Sequence, residues 1–287
     1  MFATARPMDP EVRAAYLTCL DLEAEPPSAD ALSRLVQRHA ERVPYETFWI
    51  AAGERWSIDP VSSASRIASG GRGGYCYHLN GALGLLLSSL GYRVVGHCGG
   101  VQAGDPNPDA MGNHLALTVH GLPTESNPSG SWYVDNGLGD ALHEPLPLVA
   151  GEYVQAPFRL TLERSGDTTW QLTHDPEGGF RSMTWRDEPA RLSDFARHHE
   201  WLSSSPDSGF VQVPMAERRD ATGVDVMRGL VRTRIGSGAF TAEPITVESE
   251  WFDALAAVFG MHFAGESRIR LWASVLTSHQ KWLEAHG

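Results

Sequence analysis

The stretch Gly71–Gln102, "GRGGYCYHLNGALGLLLSSLGYRVVGHCGGVQ", contains the change of period that sets the architecture. In its first half Leu79, Ala82, Leu83, Leu86, Leu87 and Leu90 recur at helical spacing, and Gly91 ends the run at C′. From Tyr92 the apolar residues alternate as in a strand. Cys76 stands where a glycine-rich turn meets the start of that helix. So much glycine is costly in chain entropy, and such turns serve a close backbone approach or an aimed side chain.

Upstream the chain reads as helical. Asp9-Pro10 is a cap with proline at the first helical position, and Ser28 opens a second segment with Leu32, Leu35, Val36, His39 and Val43 at helical spacing. Downstream, "YRVVGHCGGVQ", "HLALTVHG", "SWYVD", "FRLTLER" and "TWQLTH" read as strands between turn-rich loops. In "HLALTVH", Leu115, Leu117 and Val119 face one way, while His114, Ala116, Thr118 and His120 face the other. From about Leu192 the pattern is mixed and closes on the helix-like runs "WFDALAAVFGMHF" and "LWASVLTSHQKWLEA". The reading is an α+β chain in three parts: 1–90 helical, 91–190 β, 191–287 mixed.

With 42% hydrophobic and 20% charged residues, the composition is that of an ordinary globular protein. A net charge of -12 argues against a nucleic-acid or membrane-surface binder, because both want a basic face. No apolar run is long enough to span a bilayer and the N-terminus lacks the apolar core of a signal peptide, so a cytoplasmic protein is expected. Three cysteines, Cys19, Cys76 and Cys98, without CxxC spacing predict neither a disulfide framework nor a metal site. Cys19 and Cys98 read as small buried hydrophobes.

A helix N-terminus offers partial positive charge and unpaired N–H groups, which stabilise a thiolate and can cradle an oxyanion. Cys76 is therefore placed as a nucleophile, or else merely packed at a helix start. A nucleophile needs a base in reach, and the base an orienting acid. His114 opens one strand and Asp135 closes another, in "WYVDNGLG", so adjacent strands could set the two side by side. With 12 histidines in the chain, His114 could equally be a satisfied core residue.

At these residues the chain resembles the arylamine N-acetyltransferases. That family has a nucleophile in "RGGxC", a base in a histidine-aliphatic strand and an acid in "VDxGxG". Here they stand in the same order as "RGGYC" (Arg72–Cys76), "HLALTV" (His114–Val119) and "VDNGLG" (Val134–Gly139). "VPYETF" and "DFARHHEWLSSSPDSGF" resemble two further family segments, so the likeness runs from about Glu11 to at least Arg234. It implies a helical first domain, a β-barrel second and an α/β lid, with a cysteine-protease-like triad of Cys76, His114 and Asp135. It also implies ping-pong transfer from acetyl-CoA to an arylamine, hydrazine or hydroxylamine, with no permanently bound cofactor and no metal.

Arg72, Gly73, Gly74 and Gly137 would support the site. Arg72 would either fix the turn through backbone carbonyls or meet a phosphate. Arg232 and Arg234, spaced to share one strand face, are cofactor-phosphate candidates, or simply a solvated face. The chain departs from the family pattern at Tyr45, Thr47, His78, Asn136 and Leu138, which implies an altered pocket. Two alternatives follow: an amide synthase drawing a larger acyl chain from an acyl carrier protein, and a cysteine hydrolase.

Overall fold

In a computed structural model, which describes residues 7–104, 107–240 and 244–286, the first third is helical. Helix α1 (Pro10–Leu20) starts at Asp9, whose carboxylate accepts the Glu11 N–H at 2.8 Å. Helix α2 (Ala29–Arg42) starts at Ser28, and its Leu32, Leu35, Val36 and His39 are buried. Val43 is an extended C-cap rather than a helical residue. Strand β1 (Tyr45–Glu46), the short α3 (Phe48–Ala51) and α4 (Pro60–Gly70) lead into α5 (Cys76–Ser89). Apolar on every side, α5 is buried from Cys76 through Leu87 and forms the centre of the helical body. It stops in a Schellman turn: Gly91, at φ +94°, donates to Ser88 O and Tyr92 donates to Leu87 O.

Strands β2 (Arg93–Gln102), β3 (His114–His120), β4 (Trp132–Val134) and β5 (Leu146–Pro147) follow. With β6 (Gly151–Gln155), β7 (Phe158–Arg164), β8 (Thr169–Thr173) and β9 (Ser182–Pro189) they build one antiparallel sheet. Its order is β5-β4-β3-β2-β9-β8-β7-β6. The sheet curls into a nearly closed barrel, in which side chains of the edge strand β6 tie to the backbone on either side of the other edge, β5. Tyr153 Oη donates to Val149 O at 2.7 Å, and Gln155 pairs with the backbone of His143 and Glu144. Strand β3 is buried on both faces. Leu115, Leu117 and Val119 join the helical core, while Ala116 joins the barrel core of Tyr133, Leu160, Leu172 and Trp185. The sequence reading missed β6, an exposed edge, and β9, which alternates only around Met183 and Trp185.

The last third holds α6 (Ala196–Ser204), α7 (Gly209–Gln212), β10 (Met215–Asp220), β11 (Gly223–Arg228) and β12 (Val231–Gly236). Helices α8 (Glu248–Phe259) and α9 (Gly265–His286) complete it. The run "WFDALAAVFGMHF" is not one helix, because Gly260 at φ +67° caps α8 after Phe259. The antiparallel sheet here has the order β1-β10-β11-β12. Tyr45 pairs with Glu217 and Glu46 with Ala216, so the helical part contributes a strand to the lid sheet. Among the described residues no helix is long and apolar enough to cross a membrane.

Candidate active site

Cys76 is the first residue of α5, presented by a turn that only glycine can make. A Cβ on Gly73 would overlap the Pro44 carbonyl oxygen, and Gly74 holds φ +87°. Gly74 O accepts the Glu46 N–H at 2.9 Å, which ties the turn to β1. Arg72 meets Glu46 Oε1 through Nε (3.0 Å) and Nη2 (2.8 Å), and reaches Glu54 through Nη1 (3.4 Å). The backbone-carbonyl contacts expected of Arg72 are replaced by carboxylates, because Glu46 is buried beside it and needs a cation.

Register brings the other two residues together. Leu117 faces Val134 and Thr118 faces Tyr133 across β3 and β4. Continued by one step, that register sets Asp135 opposite Ala116, diagonal to His114 on the same face. His114 Nε2 lies 2.7 Å from Asp135 Oδ2, and the Cys76 thiol, which donates to Asn113 O at 3.6 Å, shares one cavity with the ring. Asp135 Oδ2 also accepts from Tyr133 Oη at 2.7 Å; Oδ1 accepts from Asn80 Nδ2 at 2.7 Å and from the Gly137 N–H at 2.9 Å. Asn80 Oδ1 takes the Asn136 N–H at 3.0 Å. Gly137 packs directly on Cys76, since a Cβ there would stand 2.7 Å from Cys76 Cα.

The electrostatics favour a charged imidazole. Burial alone lowers the His114 pKa, but Asp135 and then Cys76 outweigh it and lift it to about 10. Burial pushes the Cys19 and Cys98 thiols up, away from the reactive thiolate. Both are half-buried rather than fully buried, which corrects the sequence expectation.

A cavity of about 360 Å³ opens on Cys76 and His114 and is lined by Tyr45, Leu138, Phe180, Phe210 and Arg228 among others. Of the departures from the family pattern, Tyr45 and Leu138 line it, whereas Thr47, His78 and Asn136 do not. Thr47 binds β10, its Oγ1 accepting the Met215 N–H at 3.0 Å. His78 is fully buried among Trp49, Trp56, Tyr75 and His199. Arg232 and Arg234 also lie outside the lining. Asp225 takes a donor from each, at 3.0 and 2.9 Å, and Arg234 is further held by Asp220, so neither is a free phosphate-binding face. Arg228, exposed on the same hairpin, lines the cavity instead.

Sequence reasoning missed Asn80 and Tyr133. Both were legible as spacing: Asn80 is four residues after Cys76 on one helix face, and Tyr133 two before Asp135 on one strand face. Among the described residues no group of three or more His, Cys, Asp or Glu could hold a metal ion.

The family model described as N-acetyltransferase matches residues 28–268. The chain belongs to the arylamine N-acetyltransferase family. It is 32% identical over 212 residues to an arylamine N-acetyltransferase of Mycolicibacterium smegmatis, covering 68% of this chain and 72% of that protein. It is 28% identical over 239 residues to the Gallus gallus pineal gland isozyme NAT-3, covering 74% of this chain and 78% of the relative. The solved Nocardia farcinica arylamine N-acetyltransferase superposes with a TM-score of 0.79 at 26% identity, over 92% of this chain and 95% of the other. The helical, barrel and lid arrangement expected from the motifs is thus the family fold.

Proposed function

We propose that this chain transfers an acetyl group from acetyl-CoA, through a thioester on Cys76, to the nitrogen of an aromatic amine, hydrazine or hydroxylamine. The observation that carries it is the imidazole of His114, hydrogen-bonded to Asp135 and opening on one cavity with Cys76, which stands at a helix N-terminus. The family assignment supports the chemistry. The Cys76 thiolate attacks the acetyl carbonyl, and the oxyanion is met by the backbone N–H of Cys76 at the first turn of α5. The C–S bond to the donor breaks, and His114 gives its proton to the departing thiol. One thioester replaces another, so this half is close to thermoneutral. The amine then attacks the acetyl-enzyme, His114 takes the amine proton, and Cys76 leaves as thiolate. This half runs downhill, because an amide is more stable than a thioester. Asp135 holds the ring with Nε2–H toward itself, which leaves the other nitrogen for the sulfur.

No feature of the site favours the carrier-protein amide synthase or the hydrolase. The test is intact-protein mass after mixing with acetyl-CoA alone, then with aniline or a hydrazine. We expect one acetyl group, mapped to Cys76, that an amine discharges with release of free thiol. A folded protein whose Cys76 alkylates rapidly yet takes no acetyl group overturns the reading.

A further inference from the structure

Two carboxylates that the acetyl-transfer steps do not use face the cavity at Cys76. Asp140 follows the acid-bearing loop, and Glu217 lies on β10; both line the cavity with Cys76. They converge, since a Cβ at Gly179 would stand 3.2 Å from Asp140 Oδ2 and 3.9 Å from Glu217 Oε1. Asp140 is 2% exposed, and its Oδ1 is buried without a hydrogen-bond partner. Glu217 is 9% exposed, and among the described residues its carboxylate makes no hydrogen bond. An ionised, unpaired carboxylate in such a place is costly and calls for a cation.

Among the described residues no Arg or Lys pairs with either carboxylate. The Asp140 Oδ2 partners are the Gly179 N–H at 2.6 Å and His174 Nε2 at 3.2 Å. His174 Nδ1 accepts the Asp175 N–H. The Arg219 guanidinium is turned to the carbonyls of Gln155, Ala156 and Gly223. Arg228 is exposed and forms no ion pair with either carboxylate. Burial, then the Asp140 charge, pushes the Glu217 carboxyl well above the usual carboxylate range, against a smaller lowering by Arg228.

One loop touches both Cys76 and the Glu217 carboxylate. Gly137 packs on Cys76, and Gly139 packs on Glu217, where a Cβ would overlap Glu217 Oε2. The two glycines are two residues apart, at most about 7 Å.

We propose that Asp140 and Glu217 select the acceptor, and that the favoured one is an aromatic amine carrying a second, protonated nitrogen across the ring from the acetylated one. This rests on the acetyl-transfer reading of the cavity. The cation replaces the proton that Glu217 would otherwise carry, so the site rejects an anionic ring substituent by the same charge.

The experiment compares para-(dimethylaminomethyl)aniline, whose tertiary ammonium cannot form a stable amide, with its neutral isostere para-isobutylaniline and with para-aminobenzoate. We expect kcat/KM for the cation to exceed that for the isostere by about tenfold or more, with para-aminobenzoate poorest. Glu217→Gln and Asp140→Asn should each pull the cation-to-isostere ratio toward one. Calorimetric binding of the same compounds to Cys76→Ala, which needs no turnover, should show the same order, with an enthalpy that varies with the buffer as a proton is released.

If the enzyme acetylates all three without charge preference, or the preference survives both substitutions, the inference is overturned while the acetyl-transfer reading stands. Should no acetyl-enzyme form while Cys76→Ala still binds the cation preferentially, the transfer reading fails and the subsite stands. Where a substitution prevents folding, the comparison of cation with isostere on the unaltered chain decides.

Discussion

Both oxygens of Asp135 accept two hydrogen bonds each, from His114 and Tyr133 on one side and from Asn80 and Gly137 on the other. A carboxylate so held cannot rotate, which fixes the imidazole it orients. Asp135→Asn should therefore lower kcat/KM by about 10³–10⁴-fold with the fold intact by circular dichroism, since the amide offers the ring the wrong hydrogen-bond pattern. Near-normal turnover would remove Asp135 from the proposed chemistry. His114→Ala should abolish rapid alkylation of Cys76 by iodoacetamide at neutral pH, leaving the slow background of Cys19 and Cys98. His78 gives the contrast. Its ring lies among aromatic side chains with neither nitrogen hydrogen-bonded, and burial, Arg66 and His199 hold its pKa well below 6.5. His78→Gln should keep Cys76 alkylation fast; a loss like that of His114→Ala would show a part in the chemistry.

Three elements aim Cys76: the glycine turn, the start of α5 and the loop after β4. Gly137 closes over Cys76 so tightly that Gly137→Ala puts a methyl 2.8 Å from Asn80 Nδ2 and from Cys76 Cβ. Both neighbours are buried and cannot give way, so we expect a loss of about 1–3 kcal/mol in denaturant unfolding, with turnover falling more steeply than stability. Activity retained at wild-type stability would mean that the loop stands off Cys76. Strand β1 links the same turn to the lid, with Glu46 on Gly74 and Thr47 on Met215. Thr47→Val keeps the shape but leaves the Met215 N–H without the Thr47 hydroxyl, at a cost of about 1–3 kcal/mol. Hydrogen exchange at Met215 reads it directly.

Across the whole molecule, buried histidines set the pH range of stability. His39, hydrogen-bonded to Tyr16 and held to a pKa of about 3 by burial, stays unprotonated in the fold but takes a proton once unfolded. His78 and His97 are lowered by burial in the same sense. Below pH 6.5 the unfolded chain thus binds more protons, and stability falls as pH falls. His114 works on the other limb. Raised from 6.5 to about 10, its contribution is full below pH 6.5 and is lost as pH rises through about 10. Denaturant unfolding should place maximum stability between these limbs. His78→Phe should flatten the acid limb by about 1.4 kcal/mol per pH unit, one proton's worth. An unchanged acid slope would mean that His78 already takes up its proton in the fold.

The helix from Cys76, its stop at Gly91, the alternating strands around His114 and Asp135, and the motif order were all legible in the sequence, because local period and capping fix them. The diagonal of His114 and Asp135 needed the register of β3 on β4. Arg232 and Arg234 read as free cations until Asp225 was seen across the β11–β12 hairpin. Likewise, only the fold could bring Asp140 and Glu217 to one glycine, because no local pattern joins a loop residue to a strand far along the chain. Sequence determined the elements and the chemistry-bearing residue types. Tertiary structure decided which charges were already paired and which were left facing the cavity, because ion pairing depends on distances that only long-range strand pairing sets.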